Sequence, residues 1–592
     1  MSPRTVVRPV VATAVADRLL RHTAPGVPEV RPTLDWAGPV GMELPDERAV
    51  QAACGLMHIH GRATGGPAPL AVDYASVVAG VLAAQGATAA GIGRARGLDL
   101  REVRTSVAQG ALLAVGQYLA AATAREADGP PSTAGPEPCA GGLATLETAD
   151  GARVELETLD PSAWREFWAR LGVPPALAGR GWLPFQQRFA TAVCPLPDEL
   201  RAAARRRTLP DLRAAAYDTG VSLLTLGADP APAVHPEPWR LTPAPAVHPE
   251  HQLPAPVATP VPRRRTPAPA HPAADVPAPR SGGAPPPPLA GLRVVESTRR
   301  VQGPLAGHVL GMLGAEVIRI EPPGGDPMRW LPPLAGDTSA RFTALNAGKR
   351  VVEADLTTAR GRETVRALAA EADAFVHNWA PGKAARLGLD ACDLLSARPA
   401  LVYAWASGFG DTLGDRPPLG TDYLAQVHSG LAAAVRPADE PPAPSLMTLT
   451  DVLGGLVCAQ GVLAALARRE RTGRGGRVDS SLVSAAALIP RPAHRVRWTA
   501  PDRPVRTADG HLYLGPEARA HPEAVHRLLG RAEGSALTTD EWTHRLAEAG
   551  LTATPVHTDL AALADDPAFK AAVAPPDPLI GHARPHAPWE FA

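Results

Sequence analysis

The C-terminal half of the chain opens with two kinds of apolar spacing. LRVVES (292–297) and AEVIRIE (315–321) are short runs dense in Val and Ile, as in strands buried on both faces, while PLAGHVLGMLG (304–314) between them reads as a helix. Strand, helix and strand in that order predict a parallel α/β sheet with right-handed crossovers.

A longer apolar run, DVLGGLVCAQG from Asp451 to Gly461, predicts a helix, and it has a near copy. SVVAGVLAAQG from Ser76 to Gly86 lies over it at an offset of 375, with Gln85 on Gln460. The same register places QAACGL at Gln51 over QVHSGL at Gln426, and VRTSVAQGA at Val103 over VDSSLVSAA at Val478. Further on, TADG at Thr148 matches TADG at Thr507 with the offset shifted to 359, and Trp164 and Trp542 open similar helical patterns. Three matches in one ungapped register argue for an internal duplication. Its copies are unequal, because the strand, helix, strand opening belongs to the second alone and the first starts its repeat near Gln51.

The segment from Ala228 to Pro288 is dense in Pro and Ala, a composition that favours extended chain over helix or sheet. It reads as a linker (228–288) between a degenerate partial repeat (1–227) and a complete domain (289–592). A chain of 592 residues is long enough for two or more domains.

The charge balance removes some classes of partner. With 59 basic and 59 acidic side chains the formal net charge is zero, which gives no electrostatic reason to expect nucleic acid or an anionic membrane. An anionic ligand would need a local basic pocket. The opening MSPRTVVRPVVATAVADRLLRH is interrupted by Arg8, Asp17, Arg18 and Arg21, and no unbroken run of eighteen apolar residues occurs. The expectation is a cytoplasmic protein without a membrane partner. Cys54, Cys139, Cys194, Cys392 and Cys458 lie far apart, with no CxxC pair and no grouping with histidine, so they read as reduced structural thiols rather than metal ligands. Cys458, inside an apolar run, reads as core.

The second half carries an ordered series of motifs: LAGLRVVEST at Leu289, GPLAGHVLGMLGAEVIRIEPPGGDPMR at Gly303, LNAGKRVVEADL at Leu345, ADAFVHNWAPGKAARLGL at Ala372, SGFGDTLGDRPPLGTDY at Ser407, then the helix from Asp451 and RTGRGGRVDSSL at Arg471. In this series residues 289–592 resemble the CaiB/BaiF, or class III, CoA-transferase family. The resemblance implies an α/β fold with a Rossmann-like parallel-sheet large domain and a smaller α+β domain. It implies acyl-CoA and a carboxylic acid as substrates, with no tightly bound cofactor. Members of the family form interlocked homodimers, so a fused degenerate copy implies an intramolecular pseudo-dimer, with further self-association left open.

By the same resemblance the catalytic carboxylate is Asp451, which would attack an acyl-CoA thioester and end as an aspartyl-CoA thioester. Its position at a helix start, beside backbone N–H groups, is equally that of a plain N-cap, and on the residues alone both readings stand. Arg300, Val301 and Gln302 would flank the pantetheine, and Asn378 and Arg386 would approach the nucleotide. Lys349 and Arg350 are basic candidates, against the plainer reading of a solvated turn, and Arg386 could equally be a surface helix residue. Gly324 and Gly325 form a turn and no dinucleotide fingerprint.

Two other functions remain open. The family includes α-methylacyl-CoA racemases, which use a histidine in a G-H-D motif; this chain reads GTDY, with Thr421 in that place and His428 nearby on a helix face. A non-catalytic acyl-CoA-binding protein is the other, since the first repeat has Ser76 where the second has Asp451 and RARGLDLRE where the second has RTGRGGR. The first half therefore reads as catalytically silent, with Asp73, three residues before Ser76 and able on a helix to face nearly the same way, as a candidate substitute. The stretch PRPAHRVRWTAPDRPVRT (490–507) is short and basic and lacks the Gly-rich loop expected after the catalytic helix.

Overall fold

The computed structural model describes residues 8–23, 29–125, 142–230, 237–244, 286–411, 413–414, 417–529 and 536–592. Most of the segment read as a linker, and Cys139, lie outside the described residues. In chain order the elements that matter here are α1 (Val10–Thr23), β1 (Pro32–Asp35), α2 (Glu47–Ala53), α3 (Tyr74–Ala95), β2 (Val103–Ser106), β3 (Arg153–Glu157) and β4 (Trp239–Pro243). They continue with β5 (Arg293–Ser297), α4 (Gln302–Met312), β6 (Glu316–Glu321), β7 (Arg350–Glu353), β8 (Ala374–His377), β9 (Val402–Ser407), α5 (Asp422–His428), α6 (Leu449–Thr472), β10 (Gly476–Ser481) and β11 (Glu590–Phe591).

The expected parallel sheet is present, in the order β7-β6-β5-β8-β9-β10-β4. Its first six strands are parallel, and β4 adds to the edge antiparallel to β10, with Trp239 opposite Ser480 and Pro243 opposite Gly476. This corrects the linker reading: Trp239–Pro243 falls inside 228–288 and is a sheet strand. The surrounding Pro and Ala masked its five-residue signal.

A smaller sheet, β1-β2-β11, repeats one end of the large one. There β1 runs parallel to β2, and β11 lies antiparallel to β2 with Val103 opposite Phe591. The last strand of the first half thus completes the second half's sheet, and the last strand of the chain completes the first half's. Each exchanged strand carries a tryptophan at its root. Trp589 donates its indole N–H to the Leu82 carbonyl at 2.7 Å, and the carbonyl of Trp239 lies 2.8 Å from His22 Nε2. A single apolar core runs through both halves, so the boundary at 228–288 divides the sequence but not the packing.

Helices α3 and α6 cross at the centre of that core. Both are long and apolar enough to span a bilayer, yet 100% and 94% of their most apolar windows are buried inside the protein. A helix apolar on every face is what such a position demands. The pair is related by the offset seen in the sequence: the hydroxyl of Tyr74 donates to the carbonyl of Leu449, 375 positions later, at 2.9 Å. A Cβ at Gly80 would meet the Ala12 carbonyl oxygen at 2.5 Å, and one at Gly455 the Gln302 carbonyl oxygen at 2.5 Å. Glycine at these two places lets α1 seat on α3 as α4 seats on α6, although α1 has no recognisable sequence match to α4.

Each half also carries a small antiparallel sheet, with strands at 146–147, 153–157 and 222–225 in the first and 505–506, 511–514 and 553–555 in the second. The two TADG segments occupy matching places between their first two strands. Trp164 and Trp542 do not match. Trp164 lies in Pro161–Arg170, just after the middle strand, whereas Trp542 lies in Thr539–Glu548, just before the last. Both indoles fill cores, which produced similar patterns in different elements.

Candidate active site

In a parallel sheet the order of strands reverses at one point, and the loops there diverge to leave a crevice. Here the reversal lies between β5 and β8, and a cleft of about 1140 Å³ opens at the C-terminal ends of β5 to β9. The loops following these strands line it, together with Thr421, Asp451 and, from the first half, Leu159. That volume exceeds the roughly 300–1,000 Å³ of ordinary small-molecule sites.

Asp451 is the third residue of α6 and lines the cleft. The N-cap role falls to a different carboxylate. Asp422 Oδ1 accepts the backbone N–H of Thr450 at 2.6 Å and of Asp451 at 2.8 Å, and the Thr450 hydroxyl at 2.7 Å. With the helix end satisfied by Asp422, no hydrogen bond to the Asp451 carboxylate is found among the described residues. Burial, and then the charge of Asp422, raise the Asp451 pKa above the usual carboxylate range; Arg300 opposes the rise and Glu157, on β3 of the first half, adds to it. Burial also raises Asp422, against the hydrogen bonds it accepts.

The six expected ligand-binding residues do not stand together. Arg300 and Gln302 line the cleft. Arg300 has φ of 66°, a strained left-handed backbone for a side-chain-bearing residue. Its guanidinium lies 5.1 Å from the ring centre of Phe189, a residue of the first half. Gln302 donates its amide to the Ser407 carbonyl at 3.1 Å. Asn378 lines the cleft, but both ends of its amide are taken by the backbone of Arg299, at 2.9 and 2.8 Å. It holds the 299–300 turn in place. Val301 is corrected: it is 1% exposed, in the core, and is not part of the lining.

Lys349 is corrected as well. Its Nζ donates to both oxygens of Glu296, to the Pro304 carbonyl and to Asn346 Oδ1, all within 3.1 Å, with a side chain only 3% exposed. Burial lowers its pKa to about 8. It belongs to a buried charge network in which Arg319 also bonds Glu296, Glu321 and Asp326. Arg350 sits on exposed β7 beside Glu316. Arg386, exposed on the short helix Lys383–Leu387, is outside the lining. The residues missed in the sequence are Arg299 and Lys383, which do line the cleft. The Lys383 pKa is lowered by burial and then by the charges of Arg299 and Arg386. Lys383 stood within the HNWAPGKAARLGL motif, three residues before the arginine singled out there. Leu159 left no signal, because it comes from the other half.

The first half repeats the capping geometry without the cleft carboxylate. Glu47 accepts the backbone N–H of Ala75 and Ser76, at 2.9 and 2.8 Å, and the Ser76 hydroxyl at 2.6 Å. Ser76 is 1% exposed, and Asp73 stands at the N-cap position of α3 and not in the cleft. The basic stretch 490–507 packs elsewhere: Arg503 pairs with Asp439 and Glu440, and Arg491 donates to the Ser429 carbonyl. Among the described residues no His, Cys, Asp and Glu group could hold a metal ion.

Comparison with known proteins adds three findings. The model of CoA-transferase family III matches residues 41–244 and 289–537, one segment in each half. The chain is 34% identical over 263 residues to succinyl-CoA:glutarate CoA-transferase of Mus musculus, an alignment covering 42% of this chain and 60% of that protein, and 33% identical over 280 residues to a probable fatty acyl-CoA transferase of Mycobacterium tuberculosis, covering 42% and 70%. A crystal structure of a CaiB/BaiF family protein from Brucella suis is 29% identical, covers 49% of this chain and 89% of its own, and superposes with a TM-score of 0.44.

Proposed function

We propose, from the premise that this chain belongs to CoA-transferase family III, that it moves CoA from an acyl-CoA donor to a carboxylate acceptor through an aspartyl-CoA thioester on Asp451. The observation that carries this reading is a carboxylate in the cleft with no hydrogen-bond partner among the described residues, while Asp422 fixes its backbone. A carboxylate used for capping would be tied up; this one is left for a ligand.

The steps follow from covalent catalysis. An Asp451 oxygen attacks the thioester carbon, the C–S bond breaks, and CoA leaves as thiolate. The thiolate then attacks the Asp451 carbonyl carbon of the mixed anhydride, releasing the donor acid and leaving CoA bonded to Asp451. An acceptor carboxylate repeats the two steps in reverse. The charge of Arg300 favours the ionised form of Asp451, which is the nucleophile. Arg299 and Lys383, which line the cleft, suit the phosphates of CoA. The mouse relative is named for succinyl-CoA and glutarate, which supports a carboxylic acid as acceptor.

We also propose that the two halves imitate, within one chain, the interlocked dimer that the family resemblance implies. Reciprocal exchange of β4 and β11, the place of Leu159 in the cleft lining and the packing of Phe189 against the cleft residue Arg300 support it. In this arrangement the first half is a partner that supplies walls and no nucleophile. The test is Asp451→Asn: CoA transfer from succinyl-CoA is abolished while CoA binding persists, and a variant with wild-type transfer would refute the assignment.

A further inference from the structure

Two charges taken out of water hold each other in place, and removing one leaves the other buried and uncompensated. The first half contains such a pair. Arg188, on the helix Pro175–Thr191, donates to Glu157 of β3 at 3.0 Å, with both side chains buried. The same guanidinium donates to the carbonyls of Phe185 and Leu156, at 2.6 and 3.3 Å. It lies 3.8 Å from the ring centre of Phe185 and 4.5 Å from that of Tyr423. Tyr423 belongs to the second half, on α5, which packs on β3. It directly follows Asp422, whose carboxylate holds the backbone N–H of Asp451. The arginine thus crosses from one half to the other at the residue beside the cap of α6.

The charges around this contact come from both halves. Asp451 feels Asp422 of α5, Arg300 of the loop after β5 and Glu157 of β3. Tyr74 of α3 and Tyr118 face the same carboxylates, and burial pushes Tyr74 well above the ordinary tyrosine range and Tyr118 up to about 12, so both stay neutral. Around Arg188 stand Glu157, Tyr423, Glu155 and Cys194. Burial pushes the Glu155 carboxyl up to about 7 and the Cys194 thiol up to about 12, and Arg201 is the other cation near them. We infer that Arg188 is a positioning residue of the transfer site: by pairing with Glu157 and packing on Tyr423 it steadies the Asp422 cap and shields Asp451 from the Glu157 charge. This rests on the reading of Asp451 as nucleophile, and it gives the first half an electrostatic part in the reaction beyond its walls.

The test reads the ionisation of Asp451 apart from turnover. The full chain, labelled with 13C at its aspartate carboxyls, is titrated by NMR, with the Asp451 signal identified as the one missing from Asp451→Asn. The acid limb of kcat/KM for transfer from succinyl-CoA is measured beside it. Arg188→Met exposes Asp451 to the Glu157 charge and moves its titration to higher pH by about one unit; Glu157→Gln moves it to lower pH, and the double variant returns to within about half a unit of wild type. The acid limb follows in each case. Should Arg188→Met alone fail to fold, the double variant, which buries no uncompensated charge, is compared with Glu157→Gln and titrates at the higher pH of the two. A role in packing alone leaves the titration unmoved by either change at Arg188, and that result, or movement with the opposite sign, overturns the inference. The expected movements in a chain that transfers no CoA would leave the pairing standing and remove the proposed reaction, whereas a hydroxamate at Asp451 without those movements would remove the inference alone.

Discussion

Asp422 accepts the backbone N–H of Asp451 at 2.8 Å, and through that bond two carboxylates are held close together at one helix end. The first half keeps the same device in Glu47 and Ser76, at the same 2.8 Å, but with a buried hydroxyl where the second has a carboxylate. The cap is structural and is present in both copies. The cleft carboxylate is present in one.

The pair predicts the pH dependence of activity. Burial and the charge of Asp422 raise the Asp451 pKa, so the ionised form of Asp451, the proposed nucleophile, is lost at a higher pH than for an ordinary carboxylate. The acid limb of kcat/KM for succinyl-CoA therefore lies above the usual carboxylate range. Asp422→Asn removes the repelling charge and moves that limb to lower pH; Arg300→Gln removes the attracting one and moves it higher. Shifts in the opposite directions, read from the pH profile, would contradict this electrostatic account.

Lys349 and Lys383 should differ in kind. Lys349→Met breaks a buried network and lowers stability by roughly 3 kcal/mol, seen as an earlier denaturant midpoint. Lys383→Ala removes a cation at the cleft mouth and weakens CoA binding by about fivefold at low salt, less at high salt, with stability nearly unchanged. Calorimetric titration of CoA at two salt concentrations separates the two cases.

The exchanged strands predict coupled stability. Trp239 and Trp589 are 2% and 6% exposed, and truncating either to Ala costs about 3–5 kcal/mol. Because each indole comes from one half and packs on the other, both variants should lose the two halves in a single unfolding transition. Two separate transitions in calorimetry, one for each half, would show that the halves stand alone.

How much of this was legible in the sequence depends on whether a contact is local. The 375 offset, the βα opening of the second half and the long central helices were visible, because spacing and burial pattern are properties of a single segment. The strand at Trp239 was lost in Pro-rich surroundings, and β11 is too short to register. Lys349 shows a different limit: a lysine in NAGKR looks like a solvated turn or a phosphate ligand, and only the fold brings Glu296, 53 positions earlier, beneath it. Asp422 likewise gave no sign that it would cap a helix 29 residues downstream and so free Asp451 from that duty.

The most direct test of the central claim is to incubate the wild-type chain with succinyl-CoA and hydroxylamine and to locate the modified residue by peptide mass spectrometry. An aspartyl thioester is cleaved to a hydroxamate, and the account predicts that product at Asp451, dependent on the acyl-CoA and absent from Asp451→Asn. A hydroxamate on another carboxylate, or none while CoA transfer proceeds, would contradict it.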